Sequence, residues 1–139
     1  MTTIPSQVAW ESLQISVKAK VPNDLLTLLE VDWHEHFVRR RFSSDERSYP
    51  SGGVKRLMDS TWARHVLQEG RVLITAGIDE MRTAFADHEL LFSLGLYNSL
   101  NIPVVVGERV EWTLNLLRAK PAFSEADSAE VLELIDSCM

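Results

Sequence analysis

The chain contains a single cysteine, Cys138, next to its last residue. One thiol excludes an internal disulfide and any cysteine-based metal cluster, and a reducing, cytoplasmic setting is the simplest expectation. No apolar run approaches the length of a membrane span, and the opening MTTIPSQVAWESLQ lacks the basic start and apolar core of a signal peptide, so a soluble, unexported protein with no membrane partner is expected. Basic residues are also missing from the end of the chain: after Lys120 there is no lysine or arginine, while Glu125, Asp127, Glu130, Glu133 and Asp136 carry most of the formal charge of -6. Such a balance lacks the basic surface that dominates nucleic-acid affinity, so no nucleic-acid partner is expected; the run Arg39, Arg40, Arg41 is a local exception. What is present is ordinary for a globular protein, 45% hydrophobic and 24% charged residues in 139. That length suits one domain over residues 1–139, able to bury roughly two thirds of its unfolded surface.

Val8, Trp10, Leu13 and Val17 suit a short amphipathic helix that Ser6 caps and Pro22 stops, with Ile15 widening the apolar stripe. LLTLLEV (25 to 31) and HFVRRRFS (36 to 43) read as a hairpin around Asp32 to Glu35. Ser44 to Leu57, rich in serine and glycine and poor in aliphatics, reads as a long loop of the kind that often carries function. A helix over 60–69 follows, capped by Asp59 or Ser60, with Trp62, Ala63, Val66 and Leu67 as its buried stripe and Gly70 at its end. RVLITA (71 to 76) reads as a strand, Asp79 as the cap of a helical turn through Phe85, and His88 to Leu94 as a further helix. NIPVVV and RVEWTLNLL, joined across Gly107 and Glu108, form a second hairpin, and Ser124 opens a final acidic helix. Hairpins and helices in this order predict an α+β fold with an antiparallel sheet.

The second hairpin, SLGLYNSLNIPVVVGERVEWTLNLL, resembles the end of GAF domains, in which a helix closes with S-L-G and is followed by L-N-x-P-V-V, a tight turn and a strand with G-T-L-N-L-L. RRFSSDERSYPSGGVKR is similar to the R-x-Y-S-S...Y-P-x-G-G-x-K pattern of small stand-alone bacterial GAF proteins, and DSTWARHVLQEG matches the helix that follows it. The resemblance runs from about residue 22 to 120. It implies a GAF-like fold of the PAS/GAF type: a central antiparallel sheet of five or six strands, terminal helices on one face that often serve dimerisation, and a pocket on the other face roofed by loops and short helices. Many GAF domains bind small molecules there, including cyclic nucleotides and tetrapyrroles.

Candidate site residues come from the matching positions. If residues 36 to 43 are extended, Val38, Arg40 and Phe42 share a face, and Arg40 and Phe42 match the family's arginine and tyrosine. They are candidates for the pocket side; a pair of solvated edge charges is the alternative for such arginines. Gly52 and Gly53 permit positive φ and close backbone approach, while Tyr49 and Lys55 offer stacking and charge. Trp62 and His65 lie on the following helix, and alternation sets Glu111, Thr113 and Asn115 opposite Val110, Trp112, Leu114 and Leu116. Trp112 stands where the family has glycine, and it reads as a core plug between sheet and helix in preference to a ligand contact.

Other chemistries find less support. The lysine-serine or lysine-threonine ending of a phosphate loop is missing from RSYPSGGVKR. One terminal thiol cannot run a methionine-sulfoxide reductase cycle and is poorly placed for a bilin link. Asp32, His34 and His36 are zinc- or iron-type donors, but they fall in a turn with no further ligand apparent, so no metal is expected. His65 and His88 suggest no triad, since no G-x-S-x-G elbow is present. The expectation is therefore a non-catalytic, small-molecule-binding sensory domain with no predicted cofactor. It would be homodimeric, take a small polar or anionic metabolite and, having no attached output domain, act through a separate output protein. A dimeric interaction module with a vestigial pocket is the alternative, and an enzyme acting on a small metabolite is third.

Overall fold

The computed structural model of the chain describes residues 7–57 and 60–138, so the expected caps Ser6 and Asp59 and the side chain of Val8 lie outside the described residues. The elements run α1 (Gln7–Lys20), β1 (Leu25–Asp32), β2 (Phe37–Ser43), β3 (Val54–Arg56), a π-helical segment (Ala63–Gln68), β4 (Leu73–Ala76), α2 (Gly77–Ala84), α3 (His88–Ser93), β5 (Asn98–Val106), β6 (Arg109–Arg118) and α4 (Glu125–Cys138). The strands form one six-stranded sheet in the order β3-β2-β1-β6-β5-β4 with every neighbouring pair antiparallel, which is the expected α+β architecture.

α1 and α4 cover one face of this sheet. Trp10, Leu13 and Val17, spaced three and four residues apart, bury one side of α1 against Leu26, Leu28, Leu100, Leu114 and Leu116, and α4 adds Val131 and Ile135. Each such side chain withdrawn from water contributes about 1.5–3 kcal/mol. Ile15 does not widen the stripe: it is 68% exposed, because it points away from the sheet. Trp112 is buried in this layer with its ring centroid 5.4 Å from that of Trp10, the plug position expected from the sequence. Ser124 caps α4 as expected, its hydroxyl accepting the Asp127 N–H while the Asp127 carboxylate accepts the Ser124 N–H.

Arg118 ties the ends of the layer together. This buried side chain donates to the carbonyls of Pro22, Pro121 and Ala122 and to Asp127 Oδ2, and its guanidinium lies 4.0 Å from the Phe123 ring centroid. Among the described residues no helix is long and apolar enough to cross a membrane.

Four local expectations are corrected. The stretch 44–57 is not all loop: Val54–Arg56 pairs with Phe37–Arg39 as an edge strand. The helix expected at 60–69 is wound wide, with the Glu69 N–H bonding the Arg64 carbonyl five residues back, and Ser60 Oγ accepts the Ala63 N–H at its start. Asp79 caps nothing, since α2 begins at Gly77 and the Ala76 N–H is taken by Glu80. The strict alternation read along β2 and β6 is broken by two bulges. In one, Arg41 is the extra residue between pairs Leu28↔Phe42 and Leu29↔Arg40; in the other, Glu111 is extra between Val104↔Trp112 and Val105↔Val110. Phe42 is thereby turned into the helix-side core, away from Arg40, and Val110 is turned to the opposite face from Trp112.

Candidate functional site

The face opposite α1 and α4 carries a cavity of about 160 Å3. Its floor is the outward alternation of the three central strands: Leu25, Thr27 and Leu29 on β1, Asn115 and Leu117 on β6, and Asn101 on β5. Arg40 of β2 and Tyr49 of the following loop close one side, Lys55 and Arg56 of β3 stand at the rim, and Ser60, Trp62 and Ala63 at the start of the π-helical segment form part of the roof. Ala84 at the end of α2, residues 85–87 between α2 and α3, and Leu91 of α3 complete it.

The floor is apolar except for one line of side chains. Asn101 Nδ2 donates to Asn115 Oδ1 at 2.8 Å, and Asn115 Nδ2 reaches Thr113 Oγ1 at 3.1 Å, Thr27 Oγ1 at 3.3 Å and the Thr113 carbonyl at 3.4 Å. The Thr113 carbonyl can only accept, which sets the orientation of the Asn115 amide and, through it, that of Asn101. Asn101 Oδ1 is left buried without a partner. An unmet buried acceptor costs about 1–3 kcal/mol, so this atom is a standing demand for a donor.

Arg40 dominates the side wall. Its Nη1 donates to the Pro50 carbonyl at 3.0 Å, its guanidinium lies 5.0 Å from the Tyr49 ring centroid, and its Nε is buried without a partner. Burial holds the guanidinium below its ordinary pKa, opposed by the charges around it, but an arginine remains a cation. Tyr49 donates its hydroxyl to Asp87 Oδ2 at 2.8 Å, and burial together with the Asp87 charge pushes the phenol pKa well up, fixing it as a neutral donor.

The loop that brings Tyr49 here is built from local bonds. Asp45 Oδ1 accepts the N–H groups of Arg47 and Ser48, and Glu46 accepts both the N–H and the hydroxyl of Ser51. Those bonds, led by Ser48 and Ser51 respectively, hold both carboxyls below their usual pKa. The loop returns to β2 at the two glycines: the Gly52 N–H bonds the Arg40 carbonyl and the Arg40 N–H bonds the Gly53 carbonyl. Gly52 has φ +89°, and a Cβ on Gly53 would lie 2.8 Å from Arg40 Nη1. The close approach expected of this glycine pair is therefore made to Arg40.

Of the residues singled out from sequence, Arg40, Tyr49, Lys55, Trp62 and Asn115 line the cavity. Gly52 and Gly53 act through Arg40, and Thr113 is buried behind Asn115 as its acceptor. Phe42 faces the helical layer because of the β2 bulge. His65 is turned away, its Nε2 2.8 Å from the Val72 carbonyl, and His88 Nδ1 lies 2.7 Å from the Phe85 carbonyl. The turn holding Asp32, His34 and His36 is outside the cavity; Asp32 Oδ1 accepts the Glu35 N–H, and His34 is highly exposed. Arg56, Asp87 and Asn101 were not anticipated. Asn101 alternates with the apolar Leu100 and Ile102, a signal that it leaves the helix-side core, but its meeting with Asn115 depends on the Glu111 bulge.

A scan against protein-family models matches none, and a search of curated proteins by sequence gives no match. The fold does match solved structures. The GAF domain of a two-component sensor histidine kinase from Bacillus halodurans superposes with a TM-score of 0.79 at 18% identity, covering 96% of this chain and 90% of that one. A GAF domain/HD domain protein from Geobacter sulfurreducens gives 0.77 at 15% identity, with 94% and 87% covered. The GAF domain of a phosphoenolpyruvate-protein phosphotransferase from Coxiella burnetii gives 0.71 at 16% identity, with 92% and 79% covered. Across nearly its whole length, the chain has the fold of GAF domains.

Proposed function

We propose that the chain is a non-catalytic regulatory domain that encloses a small polar or anionic molecule and passes its bound state to a separate partner protein. The observation that carries this reading is Arg40: a half-buried cation in a cavity wall, with Nε unpartnered, in a protein of net charge -6. Asp87 and Glu46 offset part of the desolvation of this cation, and an anion in the cavity would offset more. Arg40 also bonds both glycines of the loop through its backbone, so a ligand held by its side chain is coupled to the loop's position. Ligand would then favour one loop arrangement over another, which is the differential binding a sensor requires. The similar structures from a sensor kinase and a phosphotransferase fit this role.

Pairing of two copies through the terminal helices belongs to the same proposal. Ile15 on α1 and Leu132 on α4 are exposed apolar residues on that layer. Sedimentation of wild type and Ile15→Glu tests it, a dimer turning to monomer being the expected result.

A second reading, an interaction module with a vestigial pocket, is favoured by the cavity's size, about 160 Å3 against the roughly 300–1,000 Å3 of most small-molecule sites. Native mass spectrometry of protein purified without additives, with a thermal-shift screen of metabolites and nucleotides, separates the two. A copurified mass or a stabilising compound whose effect is lost in Arg40→Ala supports the sensor. No bound mass and no stabilisation supports the module.

A further inference from the structure

Among the described residues five buried side-chain polar atoms have no hydrogen-bond partner, and three of them, Arg40 Nε, Trp62 Nε1 and Asn101 Oδ1, belong to residues lining the cavity opposite α1 and α4. Native proteins leave few such atoms, and three at one cavity give it a set of groups able to bond the polar atoms of a ligand. Asn101 is 1% exposed and Trp62 is 7% exposed, so surface solvent cannot serve them freely.

The unmet atoms specify complementary groups. Arg40 and Trp62 are donors and call for acceptors, whereas Asn101 Oδ1 is an acceptor and calls for a donor. Charge narrows the first group further: Arg40, Lys55 and Arg56 line the cavity against one carboxylate, Asp87, which already takes the Tyr49 hydroxyl. The acceptor group is therefore an anion, and a carboxylate presents two oxygens. Arg40 stands on β2 and Asn101 on β5, with β1 and β6 between them. Three strand spacings are about 14 Å from backbone to backbone, so a ligand meeting both side chains carries its anion and its donor at opposite ends.

The space between is apolar, with Leu25, Leu29 and Leu117 below and Trp62 and Leu91 around it. A cavity of this size, about 160 Å3, matches the roughly 150 Å3 that accommodates one benzene ring. A nucleotide or a tetrapyrrole does not fit within it.

We propose that the cavity takes a single-ring organic carboxylate bearing a hydroxyl or amine across the ring from the acid, with the carboxylate at Arg40 and the donor at Asn101. This rests on the regulatory-pocket reading and adds the ligand class to it. The probe is 4-hydroxybenzoate, titrated calorimetrically into the full chain beside benzoate, the methyl ester of 4-hydroxybenzoate, and cyclic GMP. The expected result is binding of 4-hydroxybenzoate, with the ester and benzoate each weaker by about tenfold or more, the loss of one hydrogen-bonding group in a buried site. In Arg40→Gln the acid should lose its advantage over the ester. Because benzoate and the ester alter the ligand alone, the comparison survives even if a variant at Asn101 does not fold.

Equal affinity for acid, ester and benzoate overturns the assignment of both polar ends. Binding of cyclic GMP with none of the ring compounds overturns the ligand class and leaves the regulatory pocket standing. No binding by any of the four, with no small molecule retained through purification, overturns both.

Discussion

Gly53→Ala offers a direct measurement of how the loop holds Arg40. A methyl group on Gly53 would meet Arg40 Nη1 at 2.8 Å, closer than real contacts allow, and the flexible guanidinium is the partner that must move. Moving it breaks the bond from Nη1 to the Pro50 carbonyl and withdraws the cation from the Tyr49 ring. The hydrogen bond is worth about 1 kcal/mol at a half-exposed site and the cation–π contact about 0.5–1 kcal/mol. An alanine at 53, where φ is not positive, also gains about 0.4–1 kcal/mol from the unfolded chain, so Gly53→Ala should lower stability by no more than about 1 kcal/mol in urea unfolding. Gly52→Ala provides the comparison, since φ +89° strains any residue with a side chain while no atom lies within 4 Å of the added methyl. Its cost should be larger, about 1–3 kcal/mol, and it comes from the backbone and not from Arg40. The two variants separate in the NMR spectrum of the arginine Nε–H groups, with the Arg40 signal assigned by Arg40→Lys. Gly53→Ala should shift that signal, and Gly52→Ala should leave it near its wild-type position. A shift of equal size in both, or none in Gly53→Ala, would refute the claim that glycine is required at 53 to seat the guanidinium.

Three further predictions concern the fold and the loop. Arg118→Leu should cost about 2–4 kcal/mol in denaturant unfolding, because it takes the donor from three carbonyl acceptors and from the half-buried Asp127; a loss under about 1 kcal/mol would show the clamp to be solvated. Trp112→Phe should change stability by less than about 1.5 kcal/mol, since the buried indole N–H it removes has no partner, whereas Trp112→Gly should cost about 3–5 kcal/mol by opening a void against Trp10. Tolerance of the glycine would show that the indole is not a plug. Asp45 and Glu46 have folded pKa values depressed by loop hydrogen bonds, so their contribution is complete above the unfolded carboxylate range and is lost as pH falls through the folded values. Protection of the Ser48 and Ser51 amides, taken relative to the intrinsic exchange rate at each pH, should accordingly fall on acidification below about pH 4 while β5 and β6 amides remain protected; simultaneous loss of both would mean that the loop has no separate acid response.

Sequence patterns carried the architecture because hairpins, caps and apolar spacing are local. Leu13 and Val17 on α1, the Gly107–Glu108 turn and the Ser124 cap each state their role within a few residues. The edge strand Val54–Arg56 was hidden because three exposed residues have no buried face to alternate against, and their pairing is set by β2. The wide winding of Ala63–Gln68 was hidden for a related reason: π and α turns use the same residue types, and here the Glu69 N–H and the Arg71 N–H choose distant carbonyls at Arg64 and His65.

The site was half legible for one physical cause, the bulges. A hairpin closed at Gly107 and Glu108 without interruption would keep the register of Val105↔Val110 and place Asn101 opposite Leu114. The extra residue Glu111 advances the pairing by one, so that Asn101 meets Asn115, and the polar line on the cavity floor exists only through that shift. On β2 the extra Arg41 does the converse service: Phe42 goes to the helix-side core while Arg40 keeps the cavity, and Arg41 itself bonds Glu30. A period-two reading cannot see an inserted residue whose only signature is a charged side chain in an otherwise plausible alternation. Arg41 and Glu111 are such residues, each a charge in mid-strand, and each marks the point where a strand changes the face it offers to the cavity.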